Sequence, residues 1–330
     1  MAVPHSLFCN NVLPCRYHYE VEFEKGGTAQ NDDDDDDDRK KKKKEEILSL
    51  NKSAIKYRRT KLSNAKTFDC LFFDQKQELL KILDHFTNKT GKYSIQGYPH
   101  KLGLLLHGPP GTGKTSLIKA LANKTGRSLV NVPLEKISTN EDLAKLIFNQ
   151  KYHVEGDDMP VPQSFKDVIF VLEDIDAVTH IVRRRDDAIA SDTTTGKQPV
   201  SVRKDALNLS GLLNVLDGVV DTPGRLLVMT TNYPDVLDPA LIRPGRIDKK
   251  MFLDYLTCDD MAALIAHYFQ TDVDEELLRR VKSAVNGGPN ANSLELTPAQ
   301  VEQMALEHDT VEDLLSAIEE MAIVLSGEDF

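Results

Sequence analysis

Apolar positions follow two patterns along this chain, and the change-over falls near residue 256. Upstream of it, short runs of strand length recur: Leu102–Leu106, Ser128–Val132, Val168–Leu172, Leu226–Thr231 and Met251–Tyr255. Most are apolar nearly throughout, as a strand covered on both faces should be. Between them lie stretches with apolar residues three and four apart. Asp74–Phe86 puts Leu79, Leu80, Ile82, Leu83 and Phe86 on one side, and Glu141–Phe148 and Leu207–Leu216 also read as helices. Strands alternating with helices predict an α/β fold built on a doubly wound parallel sheet. Downstream the strands stop, and Asp259–Phe269, Asp274–Val285, Pro298–Glu307 and Val311–Val324 read as helices. Thr297-Pro298-Ala299-Gln300 is a capping box with proline just inside the start, and Thr310 with Asp313 makes a weaker version. The expected organisation is an N-terminal segment over 1–60, an α/β domain over 61–256 and a small all-helical lid over 257–330.

The N-terminal segment carries its own signals. Arg16–Glu24 alternates Tyr17, Tyr19, Val21 and Phe23 with polar neighbours and reads as a strand, and Ile47–Arg59 as a second with a basic end. Between them stand Asp32–Asp38, Arg39–Lys44 and Glu45–Glu46. A block of like charge cannot bury enough surface to order itself, so this run reads as a disordered, solvated linker rather than a docking tail. The pattern lapses again between Ala177 and Ala206, a length that is usually functional or disordered.

Composition narrows the possibilities. A chain of 330 residues, 40% hydrophobic and 28% charged, has room for two ordinary globular domains. Its formal charge of −11 argues against nucleic acid as the main partner, since phosphate backbones select basic faces. The four cysteines (Cys9, Cys15, Cys70, Cys258) show no C-x-x-C spacing and read as free thiols in a reducing compartment. No run reaches the roughly eighteen apolar residues a membrane span needs. The N-terminus lacks the charged start and long apolar core of a secretory signal, so the chain reads as soluble as it stands.

The chemistry centres on Gly108-Pro109-Pro110-Gly111-Thr112-Gly113-Lys114-Thr115, followed by Ser116, directly behind the run Leu102–Leu106. This is G-x-x-x-x-G-K-[ST], preceded by a strand and followed by a helix with Leu117, Ile118 and Leu121 on one face. The glycines let successive backbone N–H groups point into one hollow, which suits a polyphosphate. Lys114 would reach the outer phosphates, Thr115 would hold Mg²⁺, and the helix adds its positive N-terminal end. The pattern predicts ATP and Mg²⁺ as ligands; no N-K-x-D follows to read guanine.

Two further strand ends carry polar groups. Val168–Leu172 runs into Glu173-Asp174-Ile175-Asp176, and carboxylates ending a buried strand suit Mg²⁺ coordination and water activation. Leu226–Thr231 ends in Asn232, whose neutral amide can contact a γ-phosphate or orient water; a plain turn before Tyr233-Pro234 is the alternative. Leu237–Lys250 reads LDPALIRPGRIDKK: Asp238-Pro239 predicts a helix start and Pro244-Gly245 its end, fixing Arg243 and Arg246 on a short rigid turn.

With these elements in this order, the stretch from about Thr60 to Phe330 resembles the AAA family of ATPases; LDPALIRPGR is a specific signature. Ser210–Gly218 (SGLLNVLDG), Glu173-Asp174, Gly97–Gly103 and TPAQVEQ resemble one subgroup, the mitochondrial chaperone for Rieske iron–sulfur protein translocation and its relatives. The resemblance implies ATP hydrolysis by a homo-oligomeric ring, hexamer or heptamer, acting on a protein client. It implies that Glu173 and Asp174 form the Walker B pair and that Thr115 and Glu173 hold the metal. It also implies that Asn232 senses the γ-phosphate, that Arg246 with Arg243 nearby reaches the neighbouring subunit's nucleotide, and that adenine sits near Phe72, Phe73 and Asp74. Three departures stand out. Asp174 is one methylene shorter than the usual catalytic Glu, Lys249 replaces a second finger arginine, and PLEKISTN lacks the aromatic-apolar-Gly pore loop of threading unfoldases. The first two leave a nucleotide-binding switch with little turnover as the rival reading; the third favours a folded client. The subgroup's location is the mitochondrial inner membrane, yet its transmembrane helix has no counterpart in this sequence, which leaves the compartment open.

Overall fold

A computed structural model describes residues 15–23, 55–176, 206–286 and 294–327. The charged run 32–46 and the stretch 177–205 lie outside them. Among the described residues nine strands form one sheet: β1 (Tyr17–Glu22), β2 (Lys56–Lys61), β3 (Lys101–His107), β4 (Ser128–Asn131), β5 (Lys151–Val154), β6 (Val161–Pro162), β7 (Val168–Leu172), β8 (Arg225–Thr231) and β9 (Lys249–Phe252). Their order across the sheet is β6-β5-β2-β1-β4-β7-β8-β3-β9.

The five strands β4-β7-β8-β3-β9 run parallel, as alternation of strands and helices requires. Around this parallel core the full sheet is mixed: β1 pairs β2 and β5 pairs β6 antiparallel. Residues from the expected N-terminal segment therefore complete the sheet, with β1 lying parallel against β4. The second of those strands begins at Lys56, later than expected, and residues 47–54 are outside the described set. Strands β5 and β6 escaped the periodicity reading because four and two residues are too short for a clear pattern. Only Tyr152 and Val154, buried between exposed Lys151 and His153, mark them.

Alternate residues of the central strands feed two cores. Leu102, Leu104 and Leu106 of β3, Ile169 and Val171 of β7, and Leu226 and Val228 of β8 face one side. There they pack against α1 (Lys76–Asn88) through Leu79, Leu83 and Phe86, and against α2 (Lys114–Thr125) through Leu117, Ile118 and Leu121. Leu105, Val168, Phe170, Leu172, Leu227 and Met229 face the other side, under α3 (Asn140–Phe148) and α4 (Leu209–Asp217). Covering both faces explains why these strands are apolar throughout. A third core lies among α5 (Cys258–Phe269), α6 (Glu275–Asn286), α7 (Pro298–Glu307) and α8 (Val311–Gly327), built on Ile265, Val281, Val301, Leu314 and Ile318. The capping box at Thr297 is formed in full, with Gln300 bonding back to the Thr297 backbone. Among the described residues no helix is long and apolar enough to cross a membrane.

Strand β3 is pressed closely from one side. A Cβ on Gly103 would come within 2.0 Å of the Arg246 carbonyl oxygen, a backbone atom with nowhere to go. Gly103 also exchanges two 2.8 Å hydrogen bonds with Asp248, its N–H to the carboxylate and its carbonyl to the Asp248 N–H. Gly103→Ala is expected to lower unfolding stability by about 2 kcal/mol or more, the scale of a forced backbone shift in a packed core. Denaturant unfolding followed by circular dichroism checks this.

Candidate functional site

The loop between β3 and α2 takes a shape that its glycines permit. Gly108, Gly111 and Gly113 have φ of 140°, 83° and 91°, all in the region that favours glycine. At Gly108 a Cβ would also lie 1.9 Å from the Leu253 carbonyl oxygen, so the loop can pass only as glycine. Helix α2 starts with no side-chain cap, which leaves its first N–H groups to an outside acceptor. Lys114 Nζ donates to the carbonyls of Gly108 (2.8 Å) and Pro109 (2.7 Å), and Thr112 Oγ1 to Pro109 O (2.9 Å). Burial pulls the Lys114 ammonium below its ordinary pKa, and the carboxylates of Asp174 and Asp176 oppose that shift.

The ends of β7 and β8 are stitched together beside this loop. The Asp174 N–H donates to Thr230 Oγ1 at 3.0 Å, and Thr231 Oγ1 donates to Asp176 Oδ1 at 2.6 Å. Asp174 adopts φ 49°, a left-handed conformation that costs a non-glycine residue energy and recurs at functional sites. Thr115 Oγ1 stands 3.4 Å from Glu173 Oε1, so two hard oxygen donors of the kind Mg²⁺ takes converge there.

Of these groups Lys114, Thr115 and Asp174 open onto a cavity of about 380 Å³, whereas Glu173 does not line it. Pro110 to Ser116, Asp174 and Asn232 line one side; Leu256, Leu264, Tyr268, Pro298 and Ala299 line the other. The helical part touches the loop directly, through Ala299 N–H to Gly111 O at 3.2 Å. Phe72 and Phe73 line this cavity and an adjoining one, whereas Asp74 lines only the latter. Gly108 and Pro109 likewise face a neighbouring groove with His107, Tyr233 and Phe252. Leu264, Tyr268, Ala299 and Glu302 were not anticipated as lining residues. The Thr297–Gln300 capping box marked where α7 begins, but not that its first turn meets the loop. Tyr268 is pushed up to about 12 by burial and by Glu302, which accepts its hydrogen bond.

Comparison with known sequences agrees with this geometry. Residues 104–255 match the family model described as ATPase family associated with various cellular activities (AAA). Residues 104–255 form an AAA domain. It is similar to AAA-ATPase At3g50940 of Arabidopsis thaliana, 30% identical over 279 residues, which cover 83% of this chain and 55% of that protein. It is also similar to Protein HYPER-SENSITIVITY-RELATED 4 of the same plant, 30% identical over 78% of this chain and 41% of that protein. AAA-ATPase At3g28600, again of A. thaliana, is 30% identical over 82% of this chain and 54% of its own length. The chain thus spans about half the length of the curated relatives it matches.

Neither arginine of the AAA domain's RPGR turn lines the cavity. The expected helix at Asp238-Pro239 is a single turn, held by Leu241 N–H to Asp238 O (2.9 Å) and Ala240 N–H to Asp238 Oδ1 (2.8 Å). Pro244 follows too soon for a helix to propagate. Arg246 is buried, 8% exposed, and donates to the Ala240 carbonyl, while Arg243 is exposed. Burial lowers the Arg246 pKa. Nearby, the hydrogen bond from Lys101 (2.6 Å) holds the Asp217 carboxyl below its ordinary range. Lys249 is committed within its own chain to Glu78 of α1, at 2.7 Å. Arg246→Ala should therefore cost about 1–2 kcal/mol of stability by removing a buried side chain and leaving the part-buried Ala240 carbonyl unpaired. Arg243→Ala should change it by less than about 0.5 kcal/mol. Thermal and denaturant unfolding of the two variants separates these outcomes.

Proposed function

We propose that this chain binds ATP with Mg²⁺ and hydrolyses it between neighbouring copies in a ring, using the cycle to move or remodel a folded protein client. The observation that carries the reading is a single cavity in which the phosphate loop, Asp174 and Asn232 meet beneath the helical segment. In it, the loop amides and the N-terminus of α2 bind the phosphates, and Lys114 exchanges its two carbonyl partners for phosphate oxygens. At the cavity's edge Thr115, with Glu173 3.4 Å away, would hold Mg²⁺, which would supply charge neutralisation for the phosphates. Asp174 accepts a proton from the attacking water, and Asn232 orients that water or the γ-phosphate. Leu256, Leu264 and Tyr268 pack around the base end with Phe72 and Phe73.

Within the RPGR turn, exposure favours Arg243 over Arg246 as the side chain lent to the neighbour's nucleotide. Arg246 then braces the turn from behind, which revises the assignment that the resemblance implies. An arginine delivered in trans is worth ~10³–10⁵ in rate. AAA proteins typically form rings, and a head-to-tail contact closes into one when the rotation permits. A folded client is supported by the segment after β4, where Leu134 and Ile137 are buried and only Glu135 and Lys136 project from that turn. The Rieske-protein translocase subgroup is the nearest mechanistic parallel for such a task.

Asp174 also bears on the rival reading, a binding switch without turnover. It lines the cavity beside Lys114 despite its shorter side chain, which supports hydrolysis. Lys114→Ala and Arg243→Ala are each expected to cut steady-state phosphate release at least about 100-fold. The Arg243 variant should still bind ATP and form the oligomer seen by light scattering. Single-turnover hydrolysis that survives unchanged in Asp174→Asn would overturn the assigned base. No hydrolysis by the wild-type oligomer would leave the switch.

A further inference from the structure

Strand β8 is buried along its whole length, yet after Leu226, Leu227, Val228 and Met229 it carries Thr230 and Thr231. Thr230 is 3% exposed and stands opposite Leu106 of β3, where valine would fill the same space without a polar group. A hydroxyl enclosed there calls for a partner. That partner is the Asp174 N–H, which donates to Thr230 Oγ1 at 3.0 Å. Successive strand residues point to opposite faces, and Thr231 accordingly makes a different grip, on the Asp176 carboxylate at 2.6 Å. Asp176 is held by its side chain. Asp174 is held by its backbone, and as an exposed residue it lines the cavity.

The bond to Thr230 falls where the chain needs holding. Asp174 has φ 49°, between a strand that ends at Leu172 and a helical turn already begun at Ile175. Glycine would take this conformation freely, whereas aspartate resists it. A left-handed backbone under a full side chain persists only where its surroundings over-determine it. Here buried Leu172 and Ile175 anchor the chain on either side, and the Thr230 hydroxyl holds it from β8. The short side chain adds to the need. An aspartate carboxylate has one torsion fewer than a glutamate's, so its place is set chiefly by the backbone that bears it.

We propose that Thr230 is a positioning residue for hydrolysis: its hydroxyl holds the Asp174 peptide in the left-handed conformation that aims the short carboxylate at the attacking water. The inference rests on the reading of Asp174 as the base and adds the group that makes an aspartate sufficient there. Without the hydroxyl, the Asp174 N–H loses its partner and residue 174 relaxes toward ordinary backbone, carrying the carboxylate with it. Misplacing a reacting group by about 1 Å can cost on the order of 100-fold in rate. Thr230 itself does not line the cavity, so nucleotide affinity does not follow the loss.

The test compares Thr230→Val, which keeps the shape and removes the hydroxyl, with Thr230→Ser, which keeps the hydroxyl and removes a methyl. The readouts are hydrogen exchange at the Asp174 amide without nucleotide, ATP affinity by calorimetry, and single-turnover hydrolysis. In Thr230→Val the amide is expected to exchange at least about tenfold faster, and hydrolysis to slow at least about tenfold. ATP affinity should stay within about twofold of the wild type. Thr230→Ser should bring both exchange and hydrolysis back to within about threefold. Hydrolysis at the wild-type rate in Thr230→Val overturns the proposal. So does a serine variant no faster than the valine one, or a loss of rate matched by an equal loss of ATP affinity. Asp174→Asn hydrolysing as the wild type does would overturn the base reading and this proposal with it.

Discussion

Level pairing between β3 and β8 is the constraint on which the site depends. Their register runs unbroken from Lys101 opposite Arg225 to His107 opposite Thr231. The phosphate loop therefore leaves the sheet at the same height as Asn232. Strand β7 joins β8 by the same parallel pairing, with Leu172 opposite Met229, which brings Glu173 and Asp174 to that edge as well. A slip of one residue would turn every side chain of a strand to the opposite face and exchange its partners in the two cores. Register here is enforced from both sides, because each central strand is buried on both faces. The polar ends of three strands thus inherit their alignment from apolar packing well away from any nucleotide.

What the sheet alone leaves open, the helical part closes. Its own core is separate, yet the first turn of α7 rests on the loop through Ala299 and Gly111, and Leu256 donates to Leu296 beside the hinge. The cavity is walled by both parts together. Anything that shifts α7 relative to β3 alters the cavity's width. The buried Arg246 extends the same economy to the far side of β3. Its carbonyl presses on Gly103 and its guanidinium holds the turn that presents Arg243.

Elements marked by an unbroken apolar run or a clear cap were legible in the chain: β7 and α7 begin and end where these place them. The phosphate loop was legible for a different reason, since its glycines are demanded locally by positive φ and close approach. Short or mixed pieces were not. β5 and β6 owe their form to neighbours in the sheet, and the antiparallel pairing of β1 with β2 follows from where the chain returns. The turn after Asp238 is as short as Pro244-Gly245 requires. Arg243 and Arg246 are alike in sequence, three residues apart, and packing alone makes one buried and the other exposed.

By itself the sequence determined the phosphate loop, the carboxylates and amide at the strand ends, and the division into a sheet-forming part and a helical part. Each of these is written in residue type and spacing within a few turns of chain. Tertiary structure decided which residues share a cavity, that Asp74 lines an adjoining one, which arginine is exposed, and how the N-terminal strands complete the sheet. Such facts arise from contacts between residues far apart in the chain, whose energies depend on close packing and desolvation, and no local pattern encodes them.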